Sequence, residues 1–420
     1  MQQVSEAPIG SAAVDVPPRP AAKTGHRDRN PGSAFIPAVI SLLVAFATVG
    51  ATVPMFNVYR SDEGFTNGDI SLTVVAYSVF TLGTLLTFGR LSHHVGRRPV
   101  ALASLLFLAA GALVLLDVHH LGVLIAGRVL MGVGAGLASS SLTSYIVDAA
   151  PAEPAWLASV ASSQTVMIGL AVGAVFSGAL IQFGPWPRDL VFLVLIALLV
   201  ISMVLIAVSP ETAERTPGAR RSLRPRVSLP AHVKPLVGVA AAVLLATWSI
   251  GSFYQAFVPA LIEDDLHSSS SLVLGLIFAA YMAPSALGAP LIGRFEPATG
   301  QRIGMLTFLA GIVGLIAAVA AGGLELFLAA TIAAGAGQGI AISATTRGLL
   351  HGSTLSHRAP IFSAVYLLSY AGATIPALIA GSLTKILTLP QIVTGYGALA
   401  LAGTLITLVA AKNPTDLTTT

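Results

Sequence analysis

Arg128 is the residue of this sequence that most needs explaining. It stands in an apolar stretch, Leu124-Ile-Ala-Gly-Arg128-Val-Leu-Met-Gly132-Val-Gly134-Ala-Gly136. A guanidinium there is costly to bury and is retained for pairing, binding or ion coupling. At 1.5 Å per residue it lies roughly 10 Å from the start of its apolar segment. The histidines gather instead at the edges of such segments (His93, His94, His119, His120, His351, His357), as do Asp117 and Asp148. None of them forms a Ser–His–acid pattern, so the chain is not expected to be an enzyme. Adjacent His119 and His120 would diverge by about 100° on a helix, so no metal site is expected, nor any cofactor. The chain has no cysteine, which excludes disulfides and thiolate chemistry.

A second constellation occurs twice. Gly89-Arg90-Leu91-Ser92-His93-His94-Val95-Gly96-Arg97-Arg98 and Gly293-Arg294-Phe295-Glu296-Pro297-Ala298-Thr299-Gly300-Gln301-Arg302 share a Gly-Arg start, a second Gly seven residues on and an Arg two further, at an offset of 204 residues. Gly89 and Gly96 let a short loop turn, and Arg97 and Arg98 pin it at a polar surface. Gly132, Gly134 and Gly136 recur as Gly335, Gly337 and Gly339, with Thr331 in the place of Arg128. These glycines, like Gly169, Gly173 and Gly178, suit close helix packing. No Gly-Lys-Ser/Thr follows any of them, so ATP is not an expected ligand.

Twelve apolar segments must position these groups, near 34–56, 70–88, 99–118, 121–143, 156–180, 190–208, 236–260, 271–293, 303–321, 324–346, 359–381 and 391–411. Roughly 20 residues cross a ~30 Å hydrocarbon layer as a helix, and helices satisfy their own backbone in lipid. With 55% hydrophobic and only 10% charged residues, the chain could not cover its apolar surface in water. The predicted fold is an all-α membrane protein: twelve transmembrane helices in two six-helix pseudo-symmetric bundles, 34–208 and 236–411. A linker, 209–235, joins them, with a disordered tail at 1–33 and a short one at 412–420. The first 33 residues do not read as a secretory signal, because the apolar run begins only at about Ala34. Pro54, Pro284, Pro290 and Pro376 fall within spans and are expected to be tolerated between packed helices.

Eighteen Lys and Arg lie in the tails and loops of one side, Arg19, Lys23, Arg27, Arg29, Arg224 and Arg226 included, against Arg60, Arg188 and Lys385 on the other. That bias predicts both termini in the cytoplasm and a multi-pass protein of the cell's inner membrane. The net charge of +4 is thus a matter of topology, and nucleic acid is not an expected partner.

The loop at 89–98 resembles the signature between helices two and three of the major facilitator superfamily, Gly-x-x-x-Asp-Arg-x-Gly-Arg-Arg, and 293–302 its echo between helices eight and nine. Arg128 with its spaced glycines resembles the family's second motif. Gly169-Leu-Ala-Val-Gly173-Ala174-Val-Phe-Ser177-Gly178 is similar to the antiporter motif Gly-x-x-x-Gly-Pro-x-x-Gly-Gly, without its Pro and one Gly. Ser209-Pro210-Glu211-Thr212 is similar to the Pro-Glu-Thr after helix six in many bacterial drug and metabolite exporters.

The resemblance implies a monomeric secondary transporter whose two halves rock about a central site. Its leading version is efflux of a small organic compound, a drug or a metabolite, as a proton antiporter of the antibiotic-resistance kind. Uptake symport of a sugar or organic acid is the alternative, and a non-transporting receptor-like homologue a further one. Coupling or gating falls to Arg128, His93, Arg97, Arg98, Asp148, Gly89 and Gly96. In the family, the signature's Asp meets the N-terminal end of helix eleven and locks the cytoplasmic side. Here His93 takes that place, which implies a weaker or pH-sensitive gate, and Asp148 is the expected partner of Arg97. Helices one, four, seven and ten would bring Thr52, Asn57, Ser140, Trp248, Ser252, Gln255 and Gln338 to the cavity. Helices two, five, eight and eleven would add Tyr77, Gln164, Tyr281, Tyr366 and Tyr370. Hydroxyls, amides and aromatics suit an uncharged or amphipathic substrate, and no Asp or Glu lies at mid-membrane depth.

Overall fold

The computed structural model describes residues 31–414 except 155, 214 and 224–229. Residues 1–30 of the expected tail, with Arg19, Lys23, Arg27 and Arg29, lie outside the described residues, as do Arg224, Arg226 and 415–420. Among the described residues there are helices and no strands.

Proline decides where the apolar segments are interrupted. The first helix, α1, runs Phe35–Gly50 and resumes as Thr52–Glu63. It is followed by α2 (Asn67–Phe88), α3 (Arg97–Val114), α4 (Leu121–Ala149), α5 (Leu157–Phe183) and α6 (Asp189–Val208). The seventh, α7, runs Val237–Ala256 and resumes as Val258–Asp264; α8 runs Ser271–Ser285 and resumes as Gly288–Ile292. Then come α9 (Pro297–Ala321), α10 (Leu324–Leu350), α11 (Leu355–Leu383) and α12 (Leu389–Ala410). Pro54, Pro259 and Pro290 each have a break at, or within two residues of, the position four before them. A proline ring clashes with that carbonyl and supplies no N–H to it. Hence the eighth span is not the continuous helix expected for 271–293, and among the described residues eleven helices are long and apolar enough to cross a membrane, with Ser271–Ser285 shorter. Pro284 and Pro376 stay inside their helices.

The two six-helix sets repeat one packing pattern. In the first, α1 packs on α4, α5 and α6, α3 on α4 and α6, and α2 on α4. In the second, α7 packs on α10, α11 and α12, α9 on α10 and α12, and α8 on α10. The sets meet through α2 with α11 and α5 with α8. Glycine makes these approaches possible. A Cβ on Gly132 would lie 2.6 Å from the Tyr77 carbonyl oxygen of α2, and one on Gly134 2.9 Å from the Ser104 carbonyl oxygen of α3. Gly136 again abuts α2, Gly169 and Gly173 abut the α1 backbone, and Gly178 abuts Ser271 of α8. Lipid offers no hydrophobic drive for helices to associate, so backbone approach of this kind supplies the packing.

The bundle has two unlike ends. Arg90, Arg97, Arg98, Arg294, Arg302 and Arg347 mark a basic end; Asp62, Glu63, Asp69, Glu263, Asp264 and Asp265 mark an acidic one.

Candidate functional site

A cavity of about 840 Å³ lies between the two sets. Tyr77, Gln164, Trp248, Ser252, Gln255, Gln338, Tyr366 and Tyr370 line it. It runs to the basic end, where Ser162, Ile292, Gly293, Arg347 and His351 complete the wall. Trp248 and Tyr370 meet at 5.0 Å between ring centroids, joining α7 to α11. No Asp or Glu is among the lining residues.

Four further sequence candidates sit elsewhere. Thr52 accepts a hydrogen bond from Arg128 behind the wall. Asn57 donates to the Pro259 carbonyl at the acidic end, 2.8 Å. Ser140 bonds the Leu137 carbonyl of its own helix, and its neighbours Ser139 and Thr143 face the cavity. Tyr281 is buried one layer back, stacked on Tyr254 at 4.1 Å, and its hydroxyl donates to Gln338. On a 3.6-residue period, one position rotates a side chain by about 100°, and helix tilt decides which neighbour reaches the cavity.

Arg128 is fully buried beside this cavity. Its Nη1 donates to Thr52 Oγ1 at 2.8 Å and its Nη2 to Gln255 Oε1 at 3.5 Å. The guanidinium also lies 4.4 Å from the Tyr77 ring centroid and 5.7 Å from that of Phe56. An arginine at mid-bilayer depth costs on the order of 3 kcal/mol or more. A charge-assisted hydrogen bond returns about 1.5–3 kcal/mol and a desolvated cation–π contact about 2, so these neutral contacts offset the burial cost but supply no counter-charge. Since Gln255 belongs to α7, Arg128 also ties the two sets together. In the second set Thr331, at the place of Arg128, instead bonds the Tyr254 hydroxyl at 2.7 Å.

The acidic end is closed by charge. Arg60 of α1 reaches Glu263 at 3.2 Å and Asp264 at 2.8 Å, both at the end of α7. The Ser71 hydroxyl donates to the Ala377 carbonyl, and that of Ser270 to Gln182 Oε1.

At the basic end the 89–98 loop is built around Arg97, whose Nε pairs with Asp148 at 2.8 Å. Its Nη1 donates to Ser92 Oγ at 2.8 Å and its Nη2 meets His93 Nδ1 at 3.0 Å. A guanidinium only donates, so His93 accepts at Nδ1 and is held neutral. Burial first, and then Arg97, press its pKa below the ordinary histidine value. Sequence reasoning missed the part played by Glu211, noted only within a motif. Its carboxylate accepts from the backbone N–H of Arg97 at 2.7 Å and of Arg98 at 3.0 Å, capping α3. Gly96 has φ 110°, which favours glycine, and a Cβ there would come within 2.6 Å of Glu211 Oε2 and push that carboxylate off its cap. Gly89, by contrast, has an ordinary helical φ of −57°.

A family model described as Major Facilitator Superfamily matches residues 38–269, more than half of the chain. The chain belongs to the Major Facilitator Superfamily. It is 25% identical over 300 residues to the MFS-type transporter SLC18B1 of Mus musculus, a match covering 69% of this chain and 63% of that protein. Over 111 residues it is also 25% identical to the quinolone resistance protein NorA of Staphylococcus aureus, covering 26% of this chain and 29% of that one. The chain thus matches less than two thirds of the length of either relative. Members of this superfamily are transporters and not enzymes, and this one has the helices of a multi-pass membrane protein. In the superfamily the signature's acid meets the N-terminal end of helix eleven. Here the cavity is open at that end, and the partners of His93 are Arg97 and, through its carbonyl, Thr216.

Proposed function

We propose that this protein exports a small organic compound, a drug or a metabolite, by alternating access. The observation that carries this reading is the central cavity, open at the basic end and clamped at the acidic end by Arg60 with Glu263 and Asp264. A transporter open to one side of the membrane and shut to the other has that form. In this reading the basic end and both termini face the cytoplasm, following the excess of Lys and Arg there, and the membrane is the inner membrane of the cell. The protein works as a monomer whose halves, 34–208 and 236–411, rock about the cavity, with 209–235 as their tether. Arg97, Asp148, Gly96 and Glu211 form the hinge of the basic end, and Arg128 couples the halves through Gln255. The proton is the coupling ion in this reading. Nothing in the mechanism calls for ATP. The motif likenesses to bacterial exporters and the partial match to a quinolone resistance protein support the outward direction.

The test begins with susceptibility to a panel of antibiotics and amphipathic metabolites in a strain lacking the protein and in one overproducing it. The compound whose tolerance rises is then followed in vesicles. Accumulation by inside-out vesicles, abolished in Arg128→Ala at equal membrane abundance, is the expected result. Accumulation only by right-side-out vesicles would establish uptake instead, and no flux in either would leave a receptor-like protein.

A further inference from the structure

We propose that the cavity takes an amphipathic organic anion, a carboxylate on an apolar body, whose charge is balanced by Arg128 acting through Gln255, with the Trp248 indole as a second donor. This deepens the transport reading, on which it rests for flux but not for binding.

The first observation is an unbalanced charge. Arg60, Arg97 and Arg188 each meet a carboxylate oxygen, at 2.8, 2.8 and 2.7 Å. Arg128 is more buried than any of these and meets no carboxylate among the described residues. The second is a set of unused donors. Arg128 Nε and the indole Nε1 of Trp248 are both buried without a hydrogen-bond partner. Because Arg128 can only donate, Gln255 must turn its oxygen toward it, and its –NH2 is what remains for the cavity it lines.

The third observation concerns the open end. Arg347 lines the cavity there, bonded to the carbonyls of Gly293 at 2.8 Å and Ile292 at 3.3 Å rather than to an acid. A solute entering from the basic end therefore passes one guanidinium and stops near another, with no carboxylate on the wall. A cation would find aromatic rings, but Tyr77 already holds Arg128 at 4.4 Å from its ring centroid. An anion meets donors, positive potential and an apolar surface. In a low-dielectric site such a potential acts across an intervening side chain.

The test uses three probes of one shape: 1-naphthylacetate, 1-naphthylacetamide and 2-(1-naphthyl)ethylammonium. Binding to the purified full-length protein is read from the rise in its unfolding temperature with probe concentration. The carboxylate is expected to bind about tenfold or more tighter than the amide, and the ammonium weakest. Arg128→Gln should bring carboxylate and amide to within about threefold, while Arg128→Lys, which keeps the charge, should preserve their order. Trp248→Phe guards against a misfolded Arg128 variant. It should weaken the carboxylate several-fold while leaving it ahead of the ammonium. Ammonium binding equal to or tighter than carboxylate would overturn the proposal. So would an unchanged carboxylate preference in Arg128→Gln, or no binding of any probe at millimolar concentration. Carboxylate binding without flux in either vesicle orientation would sustain the anion site and refute the transport reading. Flux of the ammonium alone would do the reverse.

Discussion

Arg60→Gln should open the acidic end. The arginine holds α1 to the end of α7 through Glu263 at 3.2 Å and Asp264 at 2.8 Å. The side chain of Arg60 is 17% exposed, and those of the acids 39% and 44%, so solvent screens both pairs. Ion pairs this exposed are worth about 0.5–1 kcal/mol each, giving about 1–2 kcal/mol for the clamp. Losing it should raise the ratio of acidic-end-open to closed molecules roughly 5- to 30-fold. The chain has no cysteine, so a single cysteine reports cleanly. Ala260, 1% exposed beside the Asn57–Pro259 contact, is a suitable position. A membrane-impermeant maleimide presented to the acidic end should label Ala260→Cys faster in the Arg60→Gln background by that factor. Raising salt from about 0.1 to 1 M shortens the Debye length from about 10 to 3 Å. It should therefore speed labelling in the Arg60 protein and have little effect in the variant. Equal labelling rates in the two proteins would refute the clamp and leave packing of α2 on α11 and α5 on α8 as what shuts that end.

Glu211→Gln should lower stability by about 1–2 kcal/mol, because it replaces with an –NH2 one of the two oxygens that accept separately from Arg97 and Arg98 at the start of α3 and carries no charge for the helix dipole; an unchanged thermal midpoint in detergent would contradict the capping role. His93 is held below its ordinary value of 6.5 by burial and Arg97. Its contribution to stability is therefore present above about pH 6.5 and lost as pH falls through the lowered value. His93→Gln, which accepts but does not titrate, should flatten the melting temperature against pH over that acid range, and identical slopes would dismiss the histidine as a pH-sensitive element. A reporter active only in the cytoplasm should work when fused after Thr420 or inserted within 215–223 and stay silent at Gly64; activity at Gly64 would reverse the proposed orientation.

The sequence by itself determined the helices and their repetition. Length and apolarity of the segments suffice for that, since only helices or closed barrels satisfy a backbone in lipid and continuous runs of about 20 residues are too long for barrel strands. The 204-residue echo of the Gly-Arg loop and the spaced glycines made the two-fold packing legible before any coordinates. Arg128 stood out because a charge in an apolar run is conspicuous without knowledge of its neighbours, and Asp148 could be matched to Arg97 because both lie at the same end of adjacent helices.

Tertiary structure alone decided the partners across the interface. Glu263 and Asp264 lie beyond the expected seventh span, 236–260, and meet Arg60 only because α1 and α7 pack together, about 200 residues apart in sequence. Glu211 read as part of a motif until its carboxylate reached the α3 backbone. The rotation of each helix set Gln255 and Trp248 on the cavity wall and turned Thr52 and Ser140 away from it, a matter of about 100° per residue that composition does not encode. Tyr281 was placed a layer back by the close stacking on Tyr254. Whether Arg128 met a carboxylate was likewise a question of three-dimensional neighbours. Helix packing brought it Thr52, Tyr77 and Gln255, and left its charge to be answered from the cavity.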